Sequence, residues 1–283
     1  MPELPEVETI RCELEPLISG KIFAVPILHM PTTIAYPEPD FFTVQLSGRK
    51  VSGVGRKGKY LLIYLDRGIL AVHLRMTGNL IYVDEKDLPQ SDRFLRVELP
   101  FTDGSALCYS DMRRFGRFWL VESAEQLQDV VLKNIGPDIY KDLDALSFSE
   151  LLQKIGKRGL KALLLDQGFA AGMGNIYTDE CLHRCGFHPE RRAATLNNSE
   201  VAELYQGIID VLDAGIKYGG TTFRDYRNAR GALGEFQSKL AVYGRKGERC
   251  RCGTPIEKIV VAGRGTYFCP RCQAEECKLE GEK

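Results

Sequence analysis

The 283-residue sequence lacks a net charge, and it lacks any long apolar run. A membrane-spanning helix needs about 18 or more consecutive apolar residues, so we expect no segment to cross a bilayer. No basic stretch followed by an apolar stretch opens the chain, so we expect no secretion signal and a cytoplasmic protein. The balance of 38 Lys and Arg against 38 Asp and Glu excludes a molecule coated with positive charge.

The charge is nevertheless unevenly distributed along the chain. Residues 217 to 251 carry nine basic side chains and three acidic ones, whereas residues 122 to 150 carry seven acids and two lysines. A local basic stripe is enough to bind a polyanion, because each phosphate contact is local. A solvated basic surface explains the same pattern, so the motifs must decide between the two.

Four of the nine cysteines lie between residues 250 and 272. In a cytoplasmic chain such a cluster favours a metal site over disulfides. Cys250 and Cys252 form C-x-C, Cys269 and Cys272 form C-x-x-C, and the segment between the pairs alternates like a β-hairpin. Four thiolates satisfy tetrahedral Zn²⁺, which predicts a zinc ribbon. Because the first pair is one residue shorter than usual, loss of the metal and substitution by Cys277 remain alternatives.

A second cluster, C-L-H-R-C-G-F-H, contains metal-ligating residue types without a metal-site arrangement. On a helix Cys181 and Cys185 share one face while His183 points away from it. We therefore predict that these are core and surface residues.

The spacing of apolar residues and the residue composition change three times along the sequence. Helical spacing of apolar residues predicts one helix over 3–18, with acids at its favourable N-terminal end. From about residue 21 to 122, short β-rich runs such as FAVPILH, FTVQLSG and KYLLIYL predict a sandwich or barrel. Helical periods follow, for example in SAEQLQDVVLKNI, and then the cysteine-bounded unit. The predicted class is α+β, with domains at 1–122 (β-sandwich), 123–220 (linker and helical), 221–249 (connector), 250–273 (metal module) and 274–283 (disordered tail).

Several loops carry residues that suit nucleic-acid binding. Lys59 lies in a turn before a strand, and Arg113 and Phe115 lie together at a strand connection. An arginine and an aromatic ring on one loop can wedge into a base stack, and Met76 in HLRMTG is a further candidate. The glycine-rich segment before Asn175 opens a helix, where backbone N–H groups can receive a phosphate.

Taken in order, these segments resemble the bacterial formamidopyrimidine-DNA glycosylases from Pro2 to Gln273. The resemblance rests on PELPEVET, RKGKYL, HLRMTG, DMRRFG, LLDQGFAAGMGNIYTDE, GGTTFRDY, VYGRKGE, CGTPIEK and AGRGTYFCPRCQ. It implies an N-terminal β-sandwich, a helix–two-turns–helix domain and a C-terminal zinc finger holding one structural Zn²⁺. The implied partner is damaged double-stranded DNA, bound by a monomer in the cleft between the two halves.

The resemblance also implies residue roles. Pro2, once Met1 is removed, is the expected nucleophile, Glu3 its acid–base partner and Glu6 a supporting residue. Lys59 and Arg264 are expected to contact phosphate and take part in strand cleavage. The other implied DNA contacts are Met76, Arg113 and Phe115 in the hole left by an extruded base, Lys157, Lys161 and Asn175 on phosphates, and the loop from Thr221 to Tyr226 over the damaged base.

The expected reaction suits a proline terminus. A secondary amine that attacks the sugar C1′ forms a cationic iminium, which acidifies the C2′ proton and favours β-elimination. An α-amino group titrates near about 8 and a lysine near about 10.4, so the terminus is more often unprotonated at neutral pH. The resemblance thus predicts excision of oxidised purines, namely 8-oxoguanine and formamidopyrimidines, followed by β,δ-elimination.

The chain departs from the family pattern at two places, and two alternative functions are considered beside the one that the resemblance implies. The family has paired histidines where this chain has Phe94 and Arg96, so that DNA contact is not carried over; Arg96 offers an alternative phosphate contact. The shortened C-x-C puts the finger geometry, and hence the aim of Arg264, in question. A catalytically silent DNA-binding protein and an endonuclease VIII-type enzyme for oxidised pyrimidines are the alternative functions, and the intact Pro2 and the Met76 wedge argue against them.

Overall fold

The computed structural model describes residues 1–84, 92–154 and 158–274 of the chain. These residues form two compact units. Unit 1 comprises Met1–Asn134 and Gly215–Ser238, and unit 2 comprises Ile135–Ala214 and the described residues from Lys239 on. The chain therefore returns to unit 1 after leaving it. The domain division predicted above is a different partition and stays a prediction.

Unit 1 contains two β-sheets and three helices. One sheet has the strand order β1-β7-β8-β6 and the other β2-β9-β5-β4-β3, and the pairing is antiparallel except between β2 and β9. The elements are α1 (Leu4–Ile18), β1 (Ile27–Leu28), β2 (Ile34–Tyr36), α2 (Pro39–Leu46), β3 (Val51–Lys57), β4 (Tyr60–Leu65), β5 (Ile69–His73), β6 (Gly78–Val83), β7 (Leu95–Pro100), β8 (Ala106–Asp111), β9 (Arg117–Val121) and α3 (Ala124–Gln126).

One hydrophobic core joins both sheets and α1. It includes Ile63 of β4, Leu107 of β8, and Val7, Ile10 and Leu14 of α1, all of them at most 1% exposed. The helical spacing of the three α1 residues turns one face of the helix toward the sheets. Because the core holds α1 along its length, the start of this helix has a fixed position within unit 1. The predicted β-sandwich and the predicted first helix are confirmed.

One strand prediction was wrong and a second was too long. FTVQLSG belongs to helix α2, because Pro39 and Asp40 favour a helix start and the side chains of Phe42 and Leu46, four residues apart, are both buried. In FAVPILH only Ile27–Leu28 forms a strand. Proline cannot donate the backbone hydrogen bond that a longer strand would need.

Unit 2 is helical with a terminal hairpin. Its elements are α4 (Ala145–Gln153), α5 (Leu160–Leu164), α6 (Asn175–Arg184), α7 (Asn198–Lys217, whose last residues belong to unit 1), β10 (Glu257–Val261) and β11 (Arg264–Phe268). None of the helices in the described part of the chain has the length and hydropathy required to cross a bilayer.

The predicted helix over SAEQLQDVVLKNI is shorter than expected. It consists of the three-residue α3 and a π-helical turn over Leu127–Val131, and Leu127 is the buried residue of the two pieces. A segment with a single buried side chain lacks the apolar stripe that stabilises a longer helix.

Candidate active site and nucleic-acid interface

The start of α1 places Pro2 and Glu3 together. Both residues are buried, whereas Met1 is 48% exposed. Glu3 is the N-cap of α1 and forms a capping box with Glu6, in which the backbone N–H of Glu3 donates to Glu6 Oε2 at 2.7 Å. The positive end of the helix stabilises carboxylates at these positions. The chain therefore presents a fixed proline with an acid beside it.

The second oxygen of Glu6 binds a distant segment of unit 1. Glu6 Oε1 accepts the backbone N–H of Thr221 at 2.7 Å, and Glu6 O accepts the hydroxyl of Tyr226 at 3.3 Å. Gly220 has φ +84°, and a Cβ there would lie 2.8 Å from Glu6 Cγ, so glycine is required by both conformation and space. Glu6 thus holds the predicted loop 221–226 against the start of α1.

Within that loop, burial separates two kinds of residue. The predicted contacts Thr221 and Tyr226 are 5% and 6% exposed, which leaves their side chains little surface for DNA. Phe223, which the sequence analysis did not single out, is 53% exposed. The two ends of loop 221–226 therefore pack into unit 1, and the exposed part of the loop contains Phe223.

A third acid of the first helix connects to the turn that carries Lys59. Glu8 Oε2 accepts Arg56 Nε at 2.7 Å, and an Arg56 terminal nitrogen donates to the backbone oxygen of Gly58 at 2.8 Å. Gly58 has φ +55°, and Lys59 beside it is 6% exposed. Sequence reasoning used Glu8 only as a helix-start residue and missed Arg56. The site thus joins α1, the β3–β4 turn and residues 220–226 through Glu6 and Glu8.

The predicted wedge residues lie on two loops of unit 1. Met76 follows β5 and is 36% exposed, and Phe115 follows β8 and is 48% exposed. The guanidinium carbon of Arg113 lies 5.0 Å from the centre of the Phe115 ring. Exposed apolar side chains beside a cation are suited to insertion between bases.

The two residues that replace the family's paired histidines, Phe94 and Arg96, have internal partners. Arg96 Nε donates to the backbone oxygen of Asp111 at 2.9 Å, and the guanidinium carbon of Arg93 lies 4.5 Å from the centre of the Phe94 ring. Arg96 therefore fastens the end of β8.

In unit 2, Asn175 and Arg264 are brought together by the hairpin. Asn175 opens α6, and its Nδ2 donates to the backbone oxygen of Gly265 at 2.9 Å. Arg264, the neighbour of Gly265, is exposed and begins β11 after the tight turn at Ala262 and Gly263, where both φ values are positive. The helix start and the hairpin arginine therefore occupy one surface of unit 2.

The direct phosphate contact predicted for Lys161 is not supported by this geometry. Lys161 is 0% exposed, and its ammonium lies 2.5 Å from Asp179 Oδ1 and 3.4 Å from the backbone oxygen of Gly265. Asp179 also accepts the backbone N–H of Tyr267 at 2.9 Å. The Lys161–Asp179 ion pair thus holds the β10–β11 hairpin against α6. Lys157, the other predicted lysine, lies outside the described residues.

The four predicted zinc ligands converge. The sulfur atoms of the four cysteines all lie within 4.8 Å of one another, with Cys250 and Cys272 3.8 Å apart and Cys252 and Cys269 3.5 Å apart. Zinc–sulfur bonds of about 2.3 Å in a tetrahedron place sulfurs about 3.8 Å apart, so the site fits one structural Zn²⁺ despite the shortened C-x-C. Cys277 lies outside the described residues.

Sequence reasoning missed two residues of α6 that support this finger. His183, predicted to point away from the helix face of Cys181 and Cys185, is 5% exposed, and its Nε2 lies 3.3 Å from Cys250 Sγ. The carboxylate of Glu180 accepts the backbone N–H groups of residues 241, 242 and 243 at 2.7 to 2.9 Å. No spacing rule in the sequence links α6 to these segments, because the contacts span 61 residues or more.

Family models match three parts of the chain. They are the formamidopyrimidine-DNA glycosylase N-terminal domain at residues 1–118, the H2TH domain of the same glycosylase at residues 135–227, and a zinc finger found in FPG and IleRS at residues 247–274.

Relatives and solved structures agree over nearly the full length. The formamidopyrimidine-DNA glycosylase of Desulforamulus reducens is 46% identical over 279 residues, covering 96% of this chain and 99% of that protein. The Lactococcus lactis Fpg in complex with abasic-site DNA is similar with a TM-score of 0.88 and 39% identity, and MutM in complex with DNA containing carbocyclic 8-oxo-G with 0.86 and 39%. Both comparisons cover 97% of this chain and all of the other. The chain therefore belongs to the formamidopyrimidine-DNA glycosylase family of DNA repair enzymes.

Proposed function

We propose that this protein is a bifunctional DNA glycosylase and abasic-site lyase that removes oxidised purines through Pro2. One observation carries the proposal: Pro2 and Glu3 are buried side by side at the start of α1, and the same helix holds both the Lys59 turn and loop 221–226. The relatives are named formamidopyrimidine-DNA glycosylases, and solved structures of similar proteins hold abasic-site DNA and 8-oxo-G DNA, which supports the substrate class.

Removal of Met1 exposes the secondary amine of Pro2. The amine attacks C1′ of the damaged nucleoside, a C1′–N bond to proline forms, and the glycosidic bond breaks with the base as leaving group. The C1′–O4′ bond of the sugar ring then breaks, with a proton passing from Glu3 to O4′, and the ring-opened product is an iminium cation, which acidifies the C2′ proton. Loss of that proton expels the 3′ phosphate, and a second elimination expels the 5′ phosphate. Both the amine and its acid partner are held by the helix start, which provides the orientation that this sequence requires.

Glu3 is the proposed proton donor to the opening sugar and the base for the following step. The backbone N–H of Glu3 is already bonded to Glu6, so the residue has a fixed orientation relative to Pro2. Glu6 acts by positioning, since its two oxygens receive backbone N–H groups of Glu3 and Thr221.

The remaining residues are proposed to bind DNA. Extrusion of a nucleotide costs about a few kcal/mol, and insertion of Met76, Arg113 and Phe115 into the vacated stack offsets part of this cost. Arg264 is exposed and is proposed to contact a phosphate at the cleavage step, buried Lys59 is proposed to take part in strand cleavage, and Asn175 is proposed to contact phosphate at the start of α6. The protein is proposed to act as a monomer on damaged double-stranded DNA.

Borohydride trapping tests the proposal. The wild-type protein is incubated with a duplex containing 8-oxoguanine and borohydride, and the covalent adduct is digested and mapped by mass spectrometry. We expect the adduct on the N-terminal peptide, at Pro2, in protein whose intact mass shows loss of Met1. The matched control is the same protein with an acetylated N-terminus. It is expected to bind the duplex without forming the covalent adduct.

Three kinds of result would contradict the proposal in whole or in part. Binding of abasic DNA without cleavage or adduct would favour the silent DNA-binding alternative. An adduct on a lysine, or equal trapping by the acetylated protein, would remove Pro2 as the nucleophile while leaving the enzyme class intact. Cleavage at thymine glycol in preference to 8-oxoguanine would favour the endonuclease VIII-type alternative.

A further inference from the structure

Two exposed loops of unit 1 are joined by one buried residue. The loop between β5 and β6 carries Met76, and the loop between β8 and β9 carries Arg113 and Phe115. Asp111, the last residue of β8, is 1% exposed; the β8–β9 loop begins after it, and it pairs with Gly78, where the β5–β6 loop ends. A carboxylate buried to this degree is stable only when its oxygens are hydrogen-bonded.

The carboxylate of Asp111 accepts four hydrogen bonds, which uses the lone pairs of both oxygens. The donors belong to the β5–β6 loop, to the β8–β9 loop and to β8 itself. They are the hydroxyl of Thr77 (2.5 Å), the backbone N–H of Arg113 (3.1 Å), the backbone N–H of Gly116 (2.9 Å) and the hydroxyl of Tyr109 (3.1 Å).

Thr77 links the two loops directly by hydrogen bonds. Its hydroxyl donates to Asp111 and at the same time accepts the backbone N–H of Arg113 at 3.0 Å. The packing is tight at the far end of the loop as well, because a Cβ on Gly116 would lie only 1.6 Å from the hydroxyl oxygen of Tyr109. The positions of Met76 and Arg113 are therefore coupled through adjacent residues of one network.

Both loops adopt backbone conformations that are unfavourable by themselves. Arg75 has φ +58° and Arg114 has φ +62°, in the left-handed region that non-glycine residues rarely occupy. Such a conformation is strained and persists only where surrounding bonds determine the backbone. The Asp111 network holds Arg113 and Gly116 on either side of Arg114, and Arg75 is held between its own bond to His73 Nδ1 and the bonds of Thr77.

We propose that Thr77, Asp111 and Tyr109 are positioning residues that hold Met76, Arg113 and Phe115 as one preformed wedge. The ordering of these side chains then occurs during folding and not at the moment of base extrusion, which lowers the cost of opening the stack. The inference rests on the proposed function, since it concerns how the damaged base is extruded.

Thr77→Val tests the inference, because the substitution keeps the shape of the side chain and removes both of its hydrogen bonds. Single-turnover release of 8-oxoguanine is measured from a fully paired duplex and from a duplex in which the lesion is an unpaired bulge. Two lost bonds of about 1 kcal/mol each predict roughly a tenfold or greater loss on the paired duplex. On the bulge, where less stacking must be broken, we expect a change below about twofold.

Controls separate positioning from a general defect. Thr43→Val makes the same substitution on α2, where the hydroxyl donates only to the backbone oxygen of Pro39 at 3.0 Å, and is expected to match the wild type on both duplexes. Thr77→Ser retains the hydroxyl and is expected to restore most of the paired-duplex rate. If Thr77→Val does not fold, as judged by the fluorescence of Trp119, Tyr109→Phe removes one bond of the same network.

Equal loss on both duplexes, or no loss on either, would overturn the positioning role. A wild-type protein that releases the base from neither duplex would instead overturn the proposed function. The two failures are therefore distinguishable within one set of measurements.

Discussion

The two compact units use buried charged residues for different purposes. In unit 1, Glu6 and Glu8 hold a loop and a turn around the start of α1, where the proposed reacting groups lie. In unit 2, Glu180 and the Lys161–Asp179 pair hold α6 to the segments that form the finger. The carboxylates are equally buried in the two units, so burial alone does not identify a reacting acid.

Proximity to the proposed nucleophile, and not the number of hydrogen bonds, distinguishes the two cases. Glu180 receives three backbone N–H groups, and Asp179 receives an ammonium and a backbone N–H, so both are occupied by structural bonds. Glu3 lies next to the proposed nucleophile at a helix start. We therefore expect substitutions in unit 1 to affect activity before stability, and substitutions in unit 2 to affect stability before activity. Trp119 is the single tryptophan and lies in β9, so its fluorescence reports unit 1, while zinc release reports unit 2.

The largest effect is expected from Glu3→Gln. The amide keeps an oxygen for the helix cap but cannot transfer a proton, so 8-oxoguanine release should fall by about 100- to 10,000-fold. Single-turnover excision measures the rate, and the urea midpoints of Trp119 fluorescence and zinc release should stay near those of the wild type. Glu15→Gln on the exposed side of α1 is the matched control and should excise normally. Retention of more than about a tenth of the rate would remove Glu3 from the reaction.

Asp179→Asn should show the opposite behaviour. It leaves the fully buried ammonium of Lys161 without its carboxylate, which costs about 3 to 5 kcal/mol. We expect zinc to be released to a chelator at markedly lower urea concentration, while the Trp119 transition stays in place. Combining Asp179→Asn with Lys161→Met removes both charges and should restore much of the loss. If Trp119 fluorescence shifts as far as zinc release does, the contrast between the units is wrong.

His183→Phe should weaken the metal site without removing a ligand. Nε2 of His183 lies beside Cys250 Sγ, and loss of such a supporting group lowers metal affinity by about 10- to 100-fold. Competition with a chromogenic zinc chelator measures the affinity directly. His183→Gln, which keeps a donor at a similar reach, should recover part of it. Equal affinities for wild type and His183→Phe would show that the histidine is only a packing residue.

The sequence allowed most elements and the ligands to be predicted, because helical spacing, short β-rich runs and cysteine spacing are local signals. The strand predicted for FTVQLSG is a helix, because the burial of Phe42 and Leu46 on one helix face outweighs the strand-like composition of the segment. The partners of Glu8 and His183 were not predictable, since those contacts join residues 48 and 67 positions apart.

Lys161 shows the limit of transferring a residue role. The resemblance implied a phosphate contact, but a motif does not report whether a lysine reaches the surface. Only the three-dimensional position of Asp179 reveals that the charge is used internally. The roles of Pro2, Glu3, Lys59 and Arg264 stay predictions for the same reason.

The smallest predicted effect concerns the acid stability of unit 1. Burial, together with the positive charges of Arg75 and Lys59, lowers the pKa of His73 from 6.5 to about 3. Between these values the unfolded chain binds a proton that the folded chain does not, so stability is lost as pH falls below about 6.5, by up to about 1.4 kcal/mol per pH unit. His73→Gln removes the titration and keeps an acceptor for the backbone N–H of Arg75, which donates to Nδ1 at 3.0 Å.

Urea unfolding, followed by Trp119 fluorescence at pH 7.5 and pH 5.5, measures how much of the free energy of unfolding is lost on acidification. Tyr60 packs against both His73 and Trp119, with ring centres 4.6 and 5.9 Å apart, so the fluorescence reports the right region. Carboxylates elsewhere titrate in both proteins, and their contribution cancels in the difference between wild type and variant. We expect the variant to lose less stability than the wild type on acidification, with zinc release shifting equally in both. Parallel losses in the two proteins would mean that His73 accepts its proton in the folded state, and the buried polar groups of unit 1 would then tolerate charge better than this structure indicates.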